Sequence, residues 1–189
     1  MAKSILLVGV GGQGTILASK ILTTGLMESG YDVKMSEIHG MSQRGGSVSS
    51  QVRYGDKVLS PVIEQGGADM IVSFELMEAL RNVPYLKPDG HIVVNRYRIN
   101  PMSVITGDAV YPDNIEQELT RAAKTSFVDA AAAARELGNP KVMNIVLLGT
   151  IVKAMDLTDI DWDGIIRANV KPAFIDVNIA AIHRGMEMV

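Results

Sequence analysis

Residues 4–37 read SILLVGVGGQGTILASKILTTGLMESGYDVKMSE, and this stretch predicts a strand, a glycine turn, a helix and a second strand. Ile5 to Val8 form a continuous apolar run, which is typical of a strand covered on both faces. A helix over about 15–28 carries apolar residues at largely helical spacing, and Gly30 lies where a C-terminal cap is wanted. With Asp32 to Glu37 as the returning strand, we expect a right-handed parallel unit.

The rest of the chain extends this sheet. SVSSQVRYGDKVLSP (47–61) predicts an antiparallel hairpin that turns at Gly55 and Asp56 into a strand over 57–60. ADMIVSF and HIVVN predict two more strands, separated by a helix and a KPDG turn, and from Asp113 the sequence becomes mostly helical. We therefore expect an α/β fold: one Rossmann-like three-layer domain over 1–189, with a mixed, mostly parallel sheet and a helical C-terminal part.

Composition excludes several classes of function. The chain of 189 residues has a net charge of -3 and no block of like charges, which argues against nucleic acid as a main partner. It contains no cysteine, so a Cys-ligated iron–sulfur cluster, a Cys nucleophile and a Cys-type zinc site are excluded. The three histidines are scattered, which gives a metal site nothing obvious to build on.

The hydropathy pattern predicts a cytoplasmic protein. The N-terminal apolar run is too short for a signal-peptide core, and no small-residue cleavage pattern follows it. The longest apolar stretch, VMNIVLLGTIVKAM (142–155), contains Asn144 and Lys153 and is shorter than a membrane span.

The first glycine segment has the pattern G-x-G-x-x-G between a strand and a helix. Its members are Gly9, Gly11 and Gly14, with Gly12 as a further glycine and Gln13 inside the turn. Such a turn brings backbone amides and the positive end of a helix dipole to an anion, and Glu37 stands near the position of a ribose-binding carboxylate. A Walker A loop is excluded because Thr15 stands where lysine is required. Two points stay open. The turn could be a tight connection that binds no ligand, and the Gln13 amide could point either into solvent or to a ligand or partner.

The second glycine segment, EIHGMSQRGGS (37–47), carries Arg44 in front of Gly45 and Gly46. A guanidinium on such a backbone suits bidentate capture of a carboxylate or phosphate, although Arg44 could equally be a surface residue that pairs with a nearby acid. His39 is expected to be a hydrogen-bonded loop residue, and Ser42 a turn former or a ligand-binding hydroxyl. Because both segments follow carboxyl ends of strands, we expect them to face one crevice.

GVGGQGTILASKIL, EIHGMSQRGGSVSSQVRYG and SPVIEQGGADMIVSFE together resemble the gamma module of the 2-oxoacid:ferredoxin oxidoreductases, and HGMSQRGGSV is most similar to the indolepyruvate branch. The likeness continues through NPKVMNIVLLGTIVKAM and FIDVNIAAIHRGMEM, so it covers nearly the whole chain. It implies a subunit of an enzyme that oxidatively decarboxylates an aryl pyruvate, transfers the acyl group to coenzyme A and passes electrons to ferredoxin.

The resemblance also implies that the cofactors are bound by another subunit. Thiamine diphosphate and the iron–sulfur clusters belong to a large alpha subunit, and the isolated chain is expected to be inactive and able to form a homodimer. Gly107 and Asp108 give a GD pair, but the downstream asparagines of a thiamine diphosphate motif are missing. No catalytic or metal-binding residue is expected here. The expected cofactor-binding residues are Gly9, Gly11, Gly12, Gln13, Gly14, Ser42, Arg44 and Gly45.

Two other classes of function remain open. In a free-standing NAD- or FAD-binding protein, Gly9, Gly11, Gly14 and Glu37 would hold the dinucleotide. In a purely architectural subunit, the glycine segments would only pack against a partner.

Overall fold

The computed structural model describes residues 2–39 and 45–189. The strands are β1 (Lys3–Val10), β2 (Asp32–His39), β3 (Ser47–Gly55), β4 (Ala68–Ser73), β5 (Leu86–Asn95) and β6 (Lys124–Val128). The helices are α1 (Thr15–Glu28), α2 (Leu76–Asn82), α3 (Met102–Ile105), α4 (Ile115–Ala122), α5 (Ala130–Glu136), α6 (Met143–Ala154), α7 (Trp162–Asn169) and α8 (Ile175–Met186).

These strands form one mixed sheet of six strands in the order β2-β3-β1-β4-β5-β6. β1, β4, β5 and β6 pair in parallel, whereas β3 runs antiparallel to both of its neighbours, β1 and β2. The expectation of a mixed, mostly parallel sheet is therefore confirmed. β1 and β2 point the same way, as expected, but β3 lies between them.

The predicted hairpin after β3 is wrong. Both edges of β3 are already paired, so residues 57–60 have no free edge beside it and form no strand. The segment instead crosses the polar face of β3, where Arg53 donates to the carbonyl of Ser60 at 3.1 Å and Gln51 accepts from the Ile63 N–H at 2.7 Å. These side chains replace the missing strand pairing with individual hydrogen bonds.

One other assignment in the sheet also differs from expectation. The KPDG segment, predicted as a turn, lies inside β5, where the register with β4 jumps from Ala68↔Leu86 to Met70↔His91. A bulge absorbs the extra residues, so the turn-forming sequence bends the strand and does not end it. The helical C-terminal part includes the short helix α7, which Asp161 caps by accepting from the Gly164 N–H at 2.9 Å.

Helices cover both faces of the sheet, which confirms the three-layer α/β architecture. Ile5 and Leu7 of β1 point into a hydrophobic cluster shared with α1 and α5 to α8. Leu6 and Val8, the alternate residues of the same strand, point into a second cluster that includes residues of α4. The continuous apolar run in β1 therefore reflects burial on both faces.

The strand directions place the two glycine segments at one end of the sheet. Val10, the last residue of β1, pairs with Ser47, the first residue of β3, and His39 at the end of β2 pairs with Val48. This end, the carboxyl rim, is where α1, α2, α5 and α6 begin. No helix within the described part of the chain is long and apolar enough to cross a membrane.

Candidate functional site at the carboxyl rim

The turn between β1 and α1 is held together by the side chain of Gln13. Its Oε1 accepts from the Val10 N–H at 2.8 Å, and its Nε2 donates to the Phe74 carbonyl at 2.9 Å. The amide thus joins the ends of β1 and β4 and points neither into solvent nor away from the turn. Gln13 supports the site by fixing the backbone around it.

The glycines of this turn differ in backbone conformation and in the space that a side chain would have. Gly12 has φ +102° with open space around its Cα, whereas Gly14 has φ +83° and lies against Asn144. A Cβ on Gly14 would stand 2.7 Å from the Asn144 Nδ2, which donates to the Gly14 carbonyl at 3.1 Å. Gly9 is crowded as well, since a Cβ there would stand 2.9 Å from both Gln13 and Phe74.

The second glycine segment lies directly against the first. The Gly11 N–H donates to the Gly46 carbonyl at 2.8 Å, and the Gly45 N–H donates to the Gly11 carbonyl at 3.4 Å. Both segments therefore lie at the same rim, as the strand directions predicted. Ser42 and Arg44, two of the expected binding residues, lie outside the described residues.

A cleft of about 710 Å³ opens at this rim, and we call it the main cleft. Its lining includes Gly11, Gly12, Gln13, Gly14, Leu17, Tyr97, Ile99, Ala131, Arg135, Pro140, Lys141, Met143 and Asn144. α1 begins here with no side-chain cap on its first amides, whereas the turn 140–142 that runs directly into α6 is capped by Asn139, which accepts from the Lys141 N–H at 3.1 Å. Free amides at a helix start, together with the helix dipole, favour a bound anion.

Two cationic side chains add to this positive potential. Arg135 stands near the end of α5 and Lys141 on the turn that leads into α6, and both are exposed at the cleft. Among the described residues that line the cleft there is no carboxylate. The main cleft therefore suits an extended anionic ligand such as a phosphorylated molecule, for which Arg and Lys supply charge-assisted hydrogen bonds.

A smaller recess of about 390 Å³ lies on the other side of the glycine turn. Thr15, Ile16, His39 and Val48 line it together with Gly11, Gly12 and Gly14. Its surface is mostly apolar, and the imidazole of His39 is its main polar group. His39 was expected in a loop, but it is the last residue of β2 and borders this recess from the end of the strand.

The geometry does not favour Glu37 as a ribose-binding carboxylate. β3 separates β2 from β1, so Glu37 stands two strands away from the glycine turn and not on a strand next to β1. Its Oε1 accepts from the Ser19 hydroxyl of α1 at 3.2 Å. Glu37 therefore fastens the edge strand to the helix that follows the turn.

α2 also begins at the carboxyl rim, but the protein's own groups fill its N-terminus. The N–H groups of Leu76, Met77 and Glu78 donate to the Tyr97 carbonyl at 3.0 Å, the Tyr111 hydroxyl at 3.2 Å and the Glu75 carboxylate at 3.0 Å. Among the described helices that begin at this rim, α1 keeps a start with no side-chain cap. Burial, followed by the hydrogen bond to Glu75, raises the pKa of Tyr111 above its ordinary value.

Sequence reasoning missed the buried polar residues that organise the rim. Asn95, at the end of β5 and fully buried, donates to the Phe74 carbonyl at 3.3 Å and accepts from the Ala130 N–H at 3.0 Å. Asn144 is buried on α6, where the sequence offered a usable signal: one amide inside an otherwise apolar stretch. Arg135 and Lys141 carried no such signal, because only the tertiary fold brings them beside the glycine turn.

Within residues 2–39 and 45–189, no group of three or more His, Asp or Glu side chains is arranged to hold a metal ion. Asp108 of the GD pair lies in an exposed turn and accepts from the Thr106 hydroxyl at 2.6 Å.

Comparison with known proteins identifies relatives of the whole chain. The family model described as pyruvate ferredoxin/flavodoxin oxidoreductase matches residues 4–188. The chain is 38% identical to indolepyruvate oxidoreductase subunit IorB of Pyrococcus horikoshii, over 97% of this chain and 94% of that protein.

Solved structures share the fold. The pyruvate oxidoreductase subunit PORC of Thermotoga maritima superposes with a TM-score of 0.75 at 24% identity, covering 99% of this chain and 96% of that one. The 2-oxoglutarate:ferredoxin oxidoreductase of Magnetococcus marinus, solved with 2-oxoglutarate, coenzyme A and succinyl-CoA bound, gives a TM-score of 0.75 at 18% identity. The match covers 99% of this chain and 31% of that longer chain.

Proposed function

The chain belongs to the pyruvate ferredoxin/flavodoxin oxidoreductase family, and we propose that it is the small subunit of an indolepyruvate-type enzyme within it. The reaction is oxidative decarboxylation of an aryl 2-oxo acid to an acyl-CoA, with the electrons passed to ferredoxin. The relative from Pyrococcus horikoshii, which is similar over almost its full length, supports the choice of an aryl substrate.

The reactive groups of this enzyme are assigned to a large partner subunit. With no cysteine, the chain offers no thiolate ligand for an iron–sulfur cluster. Thiamine diphosphate supplies the carbanion chemistry of decarboxylation, and we assign it to the partner as well. The GD pair of this chain lacks the downstream asparagines of a thiamine diphosphate motif. The contribution of this chain is to bind and to orient.

We assign the main cleft to the phosphorylated part of coenzyme A. The single observation that carries this assignment is the convergence of Arg135, Lys141 and the uncapped start of α1 on one cleft whose described lining contains no carboxylate. Fixed amides and cations hold a polyphosphate without reorganising, so the thiol end of the ligand can be directed towards the partner's reaction centre. Arg44 stays a predicted additional cation of this site.

Kinetics of the complex reconstituted with its large subunit test the assignment. Lys141→Ala and Arg135→Ala should each raise the KM for coenzyme A about tenfold, the equivalent of about 1.4 kcal/mol of lost binding, and leave the KM for the 2-oxo acid unchanged. The effect should shrink as salt screens the remaining charges. Lys153→Ala is the matched control, because it removes an exposed cation at the far end of α6, roughly 18 Å along the helix from Lys141. Equal KM values in all variants would reject the role of the cleft.

Calorimetry separates this proposal from a free-standing dinucleotide-binding protein. The isolated chain should show no heat of binding with NADH, because β3 separates Glu37 from the glycine turn. A stoichiometric, saturable binding signal with NADH would favour the dinucleotide-binding class.

A further inference from the structure

The outer wall of the main cleft is not part of the sheet or of a long helix. It belongs to residues 97–111, which we call the arm. The arm follows the end of β5 at Asn95, passes over the start of α2 and includes the short helix α3. Tyr97 and Ile99 of the arm line the cleft. Since so little regular structure supports the arm, its position depends on individual contacts.

Those contacts converge on the buried carboxylate of Glu75, a residue with 1% exposure at the end of β4. Its Oε1 accepts from the Ile99 N–H at 3.1 Å and from the Tyr111 hydroxyl at 2.5 Å, so it contacts both ends of the arm. Its Oε2 accepts from the Glu78 N–H at 3.0 Å and so anchors the carboxylate on α2.

Two more contacts join Tyr111 to the start of α2 and to Arg98 of the arm. The Tyr111 hydroxyl accepts from the Met77 N–H at 3.2 Å while it donates to Glu75, and the Arg98 guanidinium stacks 4.1 Å above the Tyr111 ring. A cation over the ring balances the buried negative charge nearby. The carboxylate, the phenol and the guanidinium form one connected unit that includes the residue next to the cleft wall.

We propose that Glu75 and Tyr111 are positioning residues that fix residues 97–99 as the outer wall of the main cleft and thereby set the affinity of the complex for coenzyme A. This inference rests on the proposed function of the cleft. Neither residue touches the cleft itself: both act through the arm.

Hydrogen exchange on the isolated chain tests whether the arm is held in this way. Tyr111→Phe removes the hydroxyl that joins Glu75 to Met77 but keeps the ring under Arg98. Exchange of the peptide that spans residues 96–111 should accelerate about tenfold, the effect of losing roughly one net hydrogen bond. Tyr31→Phe, which removes a phenol hydroxyl at the opposite rim of the sheet, should leave that peptide unchanged. Unchanged exchange in Tyr111→Phe would overturn the proposal.

Steady-state kinetics of the reconstituted complex test the consequence. Tyr111→Phe should raise the KM for coenzyme A about three- to tenfold at unchanged kcat, because a mobile wall weakens binding without touching the reacting atoms. Arg98→Ala changes an exposed side chain that the fold tolerates, and it should shift both readouts in the same direction by less. Faster exchange with an unchanged KM for coenzyme A would overturn the link between arm and affinity.

The two proposals fail in distinguishable ways. If Lys141→Ala raises the KM for coenzyme A and Tyr111→Phe does not, the cleft keeps its role and the positioning role of Tyr111 is refuted. If Lys141→Ala and Arg135→Ala have no effect, the assigned ligand is refuted, and exchange of the arm still decides whether Glu75 and Tyr111 hold it.

Discussion

Gln13 and Asn144 show how single side chains shape this rim. Each offers an amide to a backbone group of the glycine turn: Gln13 to Val10 and Phe74, and Asn144 to Gly14. Because buried backbone groups need partners, the two amides stabilise a turn that contains little regular hydrogen bonding of its own. We expect this support to hold the turn in place before any ligand arrives, which would lower the entropic cost of binding.

A comparison of two glycine substitutions isolates the contribution of Asn144. Gly12→Ala should lower the free energy of unfolding by about 1–2 kcal/mol, since φ is positive but the space is open. Gly14→Ala adds to the same strain the displacement of Asn144, which should cost about 0.5–1.5 kcal/mol more. Urea unfolding followed by fluorescence of the buried Trp162 measures both. Equal losses would show that the contact with Asn144 contributes nothing to stability.

At the residue scale, the sequence predicts what is local. Gly11, Gly12, Gln13, Gly14 and Gly45 do lie together at one rim, because a strand followed by a glycine-rich turn and a helix is determined within a few residues. Asn144 is 130 residues away from Gly14, and Tyr111 is 36 away from Glu75. Only the tertiary fold pairs such residues, so no spacing rule could predict them.

At the scale of elements, α6 and α8 form a close helix pair. A Cβ on Gly149 would collide with the Ile182 carbonyl, and one on Gly185 would collide with the Val146 carbonyl. The two glycines stand opposite each other, so the helix backbones touch directly. This contact holds α8 against α6, the helix whose first turn borders the main cleft.

Gly149→Ala should therefore destabilise the protein although alanine is the better helix former. Forcing a methyl group into a closed contact costs about 1–3 kcal/mol or more, against about 1 kcal/mol gained in helix propensity. We expect a net loss of about 1–2 kcal/mol in urea unfolding. Lys153→Ala, an exposed change on the same helix, should stay within about 0.5 kcal/mol of the parent. A stabilised Gly149→Ala protein would contradict the close contact.

Strands and helices could be predicted where a local residue pattern determines them, but not where they depend on which other strands and helices lie beside them. β1, α1 and β2 have the expected positions, and Asp129 caps α5 by accepting from the Ala132 N–H at 2.7 Å. The strand predicted over 57–60 does not form, because β1 and β2 already occupy both edges of β3. Turn residues alone do not reveal which edges of a strand are free.

At the scale of the whole molecule, the carboxyl rim combines the main cleft with exposed apolar side chains. The carboxyl rim holds the main cleft and the arm, and the arm exposes Met102, Ile105 and Val110 with 69%, 65% and 87% of their surface accessible. Apolar side chains this exposed, close together along one segment of the chain, are typical of a protein interface. On the proposed function, a partner that carries thiamine diphosphate would have to approach this rim to reach coenzyme A held in the main cleft.

The double variant Met102→Ser, Ile105→Ser tests whether the large subunit binds at the carboxyl rim. Losing two apolar anchors should raise the Kd for the large subunit about tenfold or more, while stability of the isolated chain stays within about 0.5 kcal/mol because both side chains are exposed. The control is Leu59→Ser, which removes an equally apolar side chain, 86% exposed, near the opposite rim where β3 ends. Titration of labelled large subunit with each variant gives the Kd values. Weaker binding by Leu59→Ser with unchanged binding by the double variant would place the partner at the opposite rim, and the main cleft would then lie too far from the partner's reaction centre to serve it.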